Sequence, residues 1–472
     1  MPSRLPLARL RRGVPGRARG GGADAHQSAC ADGDRGGGHP LAELRARAGR
    51  RGRAVIRRLC LLSREYPPDT AWGGIARAVE TEARALAAAG VEVHVITLAP
   101  DGAERSYRDA GVEVHRIAEP RLADAPEDMS YVRIGMWSRA VSEKYWELDS
   151  AFGFDAVEAP DYHGEALHLY RRPETPLVIW LHTLLGIAWE GEGAELYGNE
   201  RGWAGLELAA LGSADVLIGT SDLILAETRR HLGERMPPAR KIPYVFDPED
   251  FPARRGSRRD GAPVRALFVG RIEPRKGVDR ALMAVAAARR RGTDVRLTVI
   301  GRDDFGHRWE LEELCASLGA DGVQFLPEMD RDALVAHLNA ADCALLPSRF
   351  ESFHLAALEA LSCGVPVITS DRTGVGSWFD RATGMARLPI DDAGEFAERA
   401  ATLLADGGWL EHAGRAAASR VRELFDPAAT GAQILELHEE VQAGFRPGSA
   451  GHWPDGARAR EMELHPLLDG RD

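Results

Sequence analysis

An α/β fold of two consecutive doubly wound lobes is what this sequence predicts, and three observations predict it. From residue 55 onward, short runs rich in Val, Ile and Leu alternate with amphipathic stretches, the pattern of parallel sheets covered by helices. A polar, arginine-rich break at Asp247–Arg259 divides that alternation into two series. The 472 residues, 44% apolar, are too many for one ordinary domain and enough for two that each bury a core.

The elements follow in order. Val55 to Leu62 reads as the first strand, and Ser63–Asp69 as the loop leaving it. Gly73-Gly74 opens a helix with Ile75, Val79, Ala83 and Leu86 on one face, and Gly90 stops it. Val91–Thr97, Leu177–Leu181 and Val216–Thr220 continue the strands of the first series. The second series starts at Val264–Val269 and continues through Val295–Ile300, Cys343–Leu346 and Val365–Thr369. The expected boundaries are 55–250 for the first lobe, 251–262 for a linker and 263–425 for the second lobe.

Charge separates the opening stretch from the rest. The chain carries a net charge of −11, yet residues 1–54 hold twelve arginines against four acidic residues, a net of +8 that leaves −19 for the remainder. This segment is rich in glycine and lacks apolar periodicity, so it cannot offset its ordering entropy and is expected to be disordered. It reads as an extension outside the working protein, with Val55 a natural start. No aromatic side chains interleave its arginines to stack on bases, so nucleic acid is not an expected partner.

Cys30, Cys60, Cys315, Cys343 and Cys363 form no CxxC or Cys/His cluster, which argues against a zinc site or disulfide scaffold and for a reducing, cytoplasmic setting. No apolar run is long enough for a membrane span. A dinucleotide fold needs GxGxxG directly after its first strand, and neither lobe supplies it; no Walker A sequence exists either.

The second lobe is more specific. In Gly270-Arg271-Ile272-Glu273-Pro274-Arg275-Lys276-Gly277, Arg271 and Lys276 flank a turn at a strand's C-terminal end, where open α/β sheets collect ligands, and two fixed cations there suit a diphosphate. Further on, Ser352 reads as the N-cap of a helix from about Phe353 to Leu361. The amides of Phe353, His354 and Leu355 would then form an anion site at the helix's positive end. Glu351 lies just before this helix and Glu359 about two turns in. A carboxylate there can accept both hydrogen bonds of a vicinal diol such as ribose.

Glu351 to Glu359 resembles the E-x7-E motif of family 4 retaining glycosyltransferases, and Val269-Gly270-Arg271 with Lys276-Gly277 resembles that family's donor-phosphate loop. Asp342–Ser348, Cys363–Ile368 and the Gly73-Gly74 loop are similar too, and the resemblance spans about residues 55–445. It implies the GT-B fold, two Rossmann-like lobes facing a central cleft, with a final helix at 426–445 crossing back to the first lobe and a flexible tail at 446–472. It implies that Arg271 and Lys276 hold the donor diphosphate, that Glu359 binds the ribose and that Glu351 faces the donor hexose or its reaction centre. Gly74 and Gly270 would let backbone approach the donor, and His182 would face the donor sugar from the first lobe. Tyr244-Val245 stands where the family usually has Asn-Gly, and His354 where it usually has Gly.

The expected activity is transfer of a hexose from a nucleotide diphosphate sugar to an acceptor hydroxyl with retention, needing no metal or other cofactor. The acceptor could be a glycan, a small molecule or a lipid-linked sugar. A peripheral membrane contact is compatible with the sequence and an integral one is not. The acidic loop Trp189–Tyr197 suits a cationic or polyhydroxy acceptor, or is simply solvated. A nucleotide-sugar epimerase of the same fold and a non-catalytic nucleotide-sugar-binding subunit are the alternatives.

Overall fold

A computed structural model describes residues 55–70, 73–120, 130–171, 175–191, 198–253, 261–304 and 306–446. The opening stretch 1–54, Arg254–Arg259 of the expected linker, most of the acidic loop (192–197) and the tail from 447 lie outside the described residues.

The first lobe is built from β1 (Arg58–Leu62), α1 (Gly74–Ala88), β2 (Glu92–Ala99), β3 (Arg105–Asp109), β4 (Val112–Ala118), α2 (Ser130–Phe152), β5 (Ala156–Pro160), β6 (Leu177–Leu181), α3 (Leu185–Gly191), α4 (Asn199–Gly212), β7 (Val216–Gly219), α5 (Asp222–Leu232) and β8 (Ala239–Lys241). Its eight strands run in the order β3-β4-β2-β1-β5-β6-β7-β8, all parallel except the antiparallel edge pair β3/β4. That hairpin edge is absent from the sequence reading, because the short polar run Arg105–Asp109 lacks the apolar alternation of the central strands. The first strand begins at Arg58 rather than Val55, which is exposed. Asp155 accepts the amides of Arg57 and Arg58 at 2.7 and 2.9 Å and so takes up the backbone just ahead of the ladder.

The pleat sends alternate residues of β1 to opposite faces. Leu59 and Leu61 join a core with Val79, Ala83 and Leu86 of α1. Cys60 and Leu62 face Trp137, Val141 and Tyr145 of α2. Burial on both faces is why the strands read as continuous apolar runs.

The second lobe contains β9 (Val264–Val269), α6 (Val278–Arg290), β10 (Val295–Ile300), α7 (Arg308–Leu318), β11 (Val323–Leu326), α8 (Arg331–Ala340), β12 (Cys343–Leu346), α9 (Leu355–Ser362), β13 (Val367–Ser370), β14 (Met385–Leu388), α10 (Ala393–Ala405) and α11 (Gly407–Leu424). Its six strands are parallel in the order β11-β10-β9-β12-β13-β14. The order reverses between β9 and β12, so the loops leaving these two neighbours diverge and open a crevice at their C-terminal ends.

The last helix, α12 (Pro427–Gly444), lies one residue inside each bound of the expected 426–445. Asp426 caps it, accepting from the Ala429 amide at 2.7 Å, and Pro427 fits the first turn, where no amide hydrogen is needed. It lies on α1: a Cβ at Gly431 would sit 3.6 Å from the Ala85 Cβ. His438 Nε2 bonds Glu158 on β5 at 2.8 Å, and Arg240 pairs with Glu440 at 2.6 Å. Among the described residues no helix is long and apolar enough to cross a membrane.

Candidate functional site

The two sheets turn their C-terminal edges toward a shared cleft, and two helix starts face each other there. The first helix of the first lobe begins at Gly74, and α9 of the second lobe begins at Leu355. A Cβ added at Gly74 would lie 3.5 Å from Leu355 Cδ1. Each helix leaves its first amides without an intrahelical acceptor, so two positive ends converge on one space.

The start of α9 corrects the sequence reading. Ser352 is not the N-cap, and Phe353 is not helical. The capping position belongs to His354, whose backbone is left-handed at φ 90° and ψ 74°. The first intrahelical bonds run from the Ala357 and Leu358 amides to the His354 carbonyl at 3.1 and 3.3 Å. Ser352 instead ties the lobes together. Its carbonyl accepts from Ser221 Oγ at 2.6 Å, beside a bond from the Trp378 indole to the Thr220 carbonyl at 3.1 Å. The His354 ring reaches Ser348 Oγ at 3.2 Å, and burial lowers its pKa to about 4, against the pull of Glu351.

The loop after β9 supplies the cations. Its turn at Pro274–Lys276 ends on Gly277 with φ 72°, where a Cβ would sit 2.0 Å from the Pro347 carbonyl oxygen. Only glycine lets this loop lie against the one leaving β12. As a result, Lys276 Nζ and Arg275 Nη1 both meet Glu351 Oε1, the latter at 2.9 Å. Burial alone would raise the Glu351 pKa, but these two cations hold it well below the ordinary carboxylate range. Burial lowers the Lys276 pKa and Glu351 opposes it; with two cations on one carboxylate, the ionised arrangement is the one the geometry supports. The sequence marks Arg275 only by its place in the same tight turn as Lys276.

Arg271 stands apart from this cluster. Its side chain is 45% exposed, lies 3.5 Å from Glu273, and its field reaches Glu65 and Tyr162 of the first lobe. Glu359 is buried on α9, and burial raises its pKa despite Arg77 and Arg331. Arg77 of α1 approaches it to 3.5 Å from the other lobe.

On the first-lobe side, His182 follows β6 directly. Asp161, following the neighbouring β5, accepts the His182 amide at 3.0 Å. The Tyr244 hydroxyl meets His182 Nδ1 at 2.5 Å, and its ring stands edge-on to Phe353 at 5.2 Å between centroids. Burial lowers the His182 pKa to about 3 and raises that of Asp161 to about 7. The structure therefore gathers Gly74, His182, Lys276, Glu351, Phe353, His354, Leu355 and Glu359 around the cleft, with Arg271 at its edge. Gly270, directly after β9, bonds its amide to the Ile300 carbonyl at 3.0 Å, at the base of the cationic loop.

Two largely parallel sheets facing each other across such a cleft make the GT-B fold of glycosyltransferases. The chain belongs to the family described as Family 4 Glycosyltransferase in conflict systems, whose profile matches residues 69–450. It is 27% identical over 412 residues to a glycogen synthase of Mycobacterium tuberculosis, covering 82% of this chain and 96% of that one. It is 29% identical over 398 residues to a D-inositol 3-phosphate glycosyltransferase of Pseudarthrobacter chlorophenolicus, covering 78% and 92%. Among solved structures, a sucrose-phosphate synthase from Thermosynechococcus elongatus superposes with a TM-score of 0.69 at 23% identity, over 82% of this chain and all of that one. Anabaena HepE, in complex with UDP and glucose, superposes with a TM-score of 0.57 at 17% identity, covering 81% and 99%.

Proposed function

We propose that this glycosyltransferase moves a hexose from a nucleotide diphosphate sugar to an acceptor hydroxyl with retention at the anomeric carbon. The observation that carries the reading is the convergence of the helix starts at Gly74 and Leu355 with the cations of the β9 loop. Amides and fixed cations aimed at one space stabilise the charge that builds on a leaving diphosphate. Arg271 and Lys276 take the phosphates, Glu359 takes the ribose hydroxyls, and His182 and Glu351 face the hexose. These groups supply the positive charge themselves, so the reading needs no metal ion.

The pinning of Glu351 by Lys276 and Arg275 supports a charge-holding role over a nucleophilic one. In the front-face route that follows, the leaving phosphate takes the proton of the attacking acceptor hydroxyl. Closure of the lobes around both substrates limits hydrolysis. The acceptor is a glycan, a small molecule or a lipid-linked sugar, with a soluble one preferred over a lipid-linked one.

The test is a thermal-shift and calorimetric screen of UDP-, GDP-, ADP- and TDP-sugars against the wild type and Glu359→Ala. Stabilisation by one donor class, lost in the variant, is expected. Binding by none would overturn the reading. Donor turnover without any acceptor would point to an epimerase instead, and tight binding without turnover under any acceptor to a non-catalytic subunit.

A further inference from the structure

Tyr244 lies in the buried run Ile242–Phe246 that leaves β8 for the second lobe, where the family's usual pattern places Asn. Its ring is stacked on His182, with centroids 5.4 Å apart and planes at 19°, and on Trp180 at 5.7 Å. Its hydroxyl meets His182 Nδ1 at 2.5 Å, and Phe353 of the second lobe stands edge-on to its ring at 5.2 Å. A neutral imidazole has one donor and one acceptor nitrogen, and the partner of one decides the state of the other.

We infer that Tyr244 sets the tautomer of His182, donating its hydroxyl to Nδ1 so that Nε2 carries the hydrogen and donates toward the donor sugar. The direction follows from the buried phenol: among the described residues His182 Nδ1 is the acceptor its hydroxyl meets within hydrogen-bond distance, so donation there leaves Nε2 to carry the imidazole hydrogen. The charged and titratable groups around this pair are Asp161, which holds the His182 amide, and Glu351 and Glu82, whose fields reach the phenol. All three disfavour a phenolate, and burial disfavours an imidazolium, so both rings stay neutral at pH 7. Phe353 of the second lobe, edge-on to the phenol ring, holds it in place where the two lobes meet. Tyr244 is thus a positioning residue acting through His182.

This role rests on the proposed reading for its catalytic meaning but not for its test. The apo protein, labelled with 15N-histidine, is examined by long-range 1H–15N correlation at pH 7, with His182 assigned from a His182→Asn variant. The wild type is expected to show His182 protonated at Nε2. Tyr244→Phe is expected to shift it toward the Nδ1–H form. An Nδ1–H tautomer in the wild type would overturn the inference, as would a Tyr244→Phe protein that keeps a pure Nε2–H signal. With the donor found above, Tyr244→Phe should lower kcat about tenfold, the worth of one ordinary hydrogen bond, with donor KM little changed. A wild type that binds no nucleotide sugar would remove the transferase reading while the tautomer result stands. Turnover with an unchanged tautomer would remove the inference alone.

Discussion

Arg77 of the first lobe stands 3.5 Å from Glu359 of the second, so the carboxylate assigned to the ribose already has a partner across the cleft. The two ends are unequal: the Arg77 side chain is 46% exposed and that of Glu359 is 10% exposed. An exposed arginine contributes under about 1 kcal/mol to such a pair. Arg77→Ala should therefore change donor affinity less than about fivefold. Glu359→Ala removes both acceptors of the diol and should weaken donor binding about a hundredfold, at about 1.5 kcal/mol for each charge-assisted bond. Calorimetry with the selected donor separates the two. Equal losses would show that Arg77 holds the nucleotide as much as Glu359 does.

Glu351 neutralises two buried cations, and the variants at this cluster should rank accordingly. Glu351→Gln keeps the shape but takes the carboxylate from Lys276, while Arg275 keeps Glu273 at 2.6 Å, and the loss of stability should be about 3 kcal/mol. Lys276→Met leaves Glu351 with Arg275 and should cost less. Urea midpoints at pH 7 measure the order. The Glu351 contribution has a depressed native pKa, so it is complete above the unfolded value of 4.5 and is lost only as pH falls below it.

Stability should fall on both sides of a plateau in pH. Burial raises Asp161 and Glu165 to about 7 and Glu207 to about 8. The native state keeps protons that the unfolded chain releases above about pH 4 to 4.5. Their stabilisation is therefore full below that range and lost as pH rises toward 7 to 8. Burial lowers His182 and His163 to about 3 and His115 and His354 to about 4. Their stabilisation is full above the unfolded value of 6.5 and is lost as pH falls. Between about 4.5 and 6.5 the two sets oppose each other; above 6.5 only the acids act. Tm should thus decline from pH 6.5 to 8 and again below 4.5, with Glu207→Gln flattening the alkaline side. A Tm that climbs steadily from 6.5 to 8 would contradict this account.

Two left-handed glycines separate backbone strain from collision. Gly90 has φ 90° with nothing within 4 Å of an added Cβ, whereas Gly277 has φ 72° with the Pro347 carbonyl oxygen 2.0 Å away. Gly90→Ala should cost about 1 kcal/mol. Gly277→Ala must displace the β9 or β12 loop as well, so it should destabilise further and abolish nucleotide-sugar binding. Thermal melts with and without donor would show it, and donor binding retained by Gly277→Ala would refute the role given to this contact.

The two α/β series were legible because buried parallel strands are continuous apolar runs, and Glu351 and Glu359 because their spacing survives as a local pattern. What the sequence hid depends on contacts between distant positions. The bond between Tyr244 and His182 spans 62 residues, and no periodicity marks it. Ser352 looked like a cap because serine is a good one, but His354 takes a left-handed backbone that favours glycine, and the helix begins after it. Asp161 ends a run of buried residues and looks like a strand terminus; only the fold shows it holding the next strand's histidine.

The helix α12 makes the first lobe a discontinuous body. Its Ile434, Leu437 and Val441 are buried, and its His438 is the partner of the carboxylate of Glu158, deep in the first lobe. Cutting the polypeptide between the lobes would not yield two self-sufficient halves. The amino-terminal fragment would expose the groove that α12 fills, and the carboxy-terminal fragment would trail a sticky apolar helix. The two fragments should instead reassociate through that helix, each serving as the other's missing part. A protein rejoined so that α12 precedes β1 would keep every element of the first lobe contiguous in sequence.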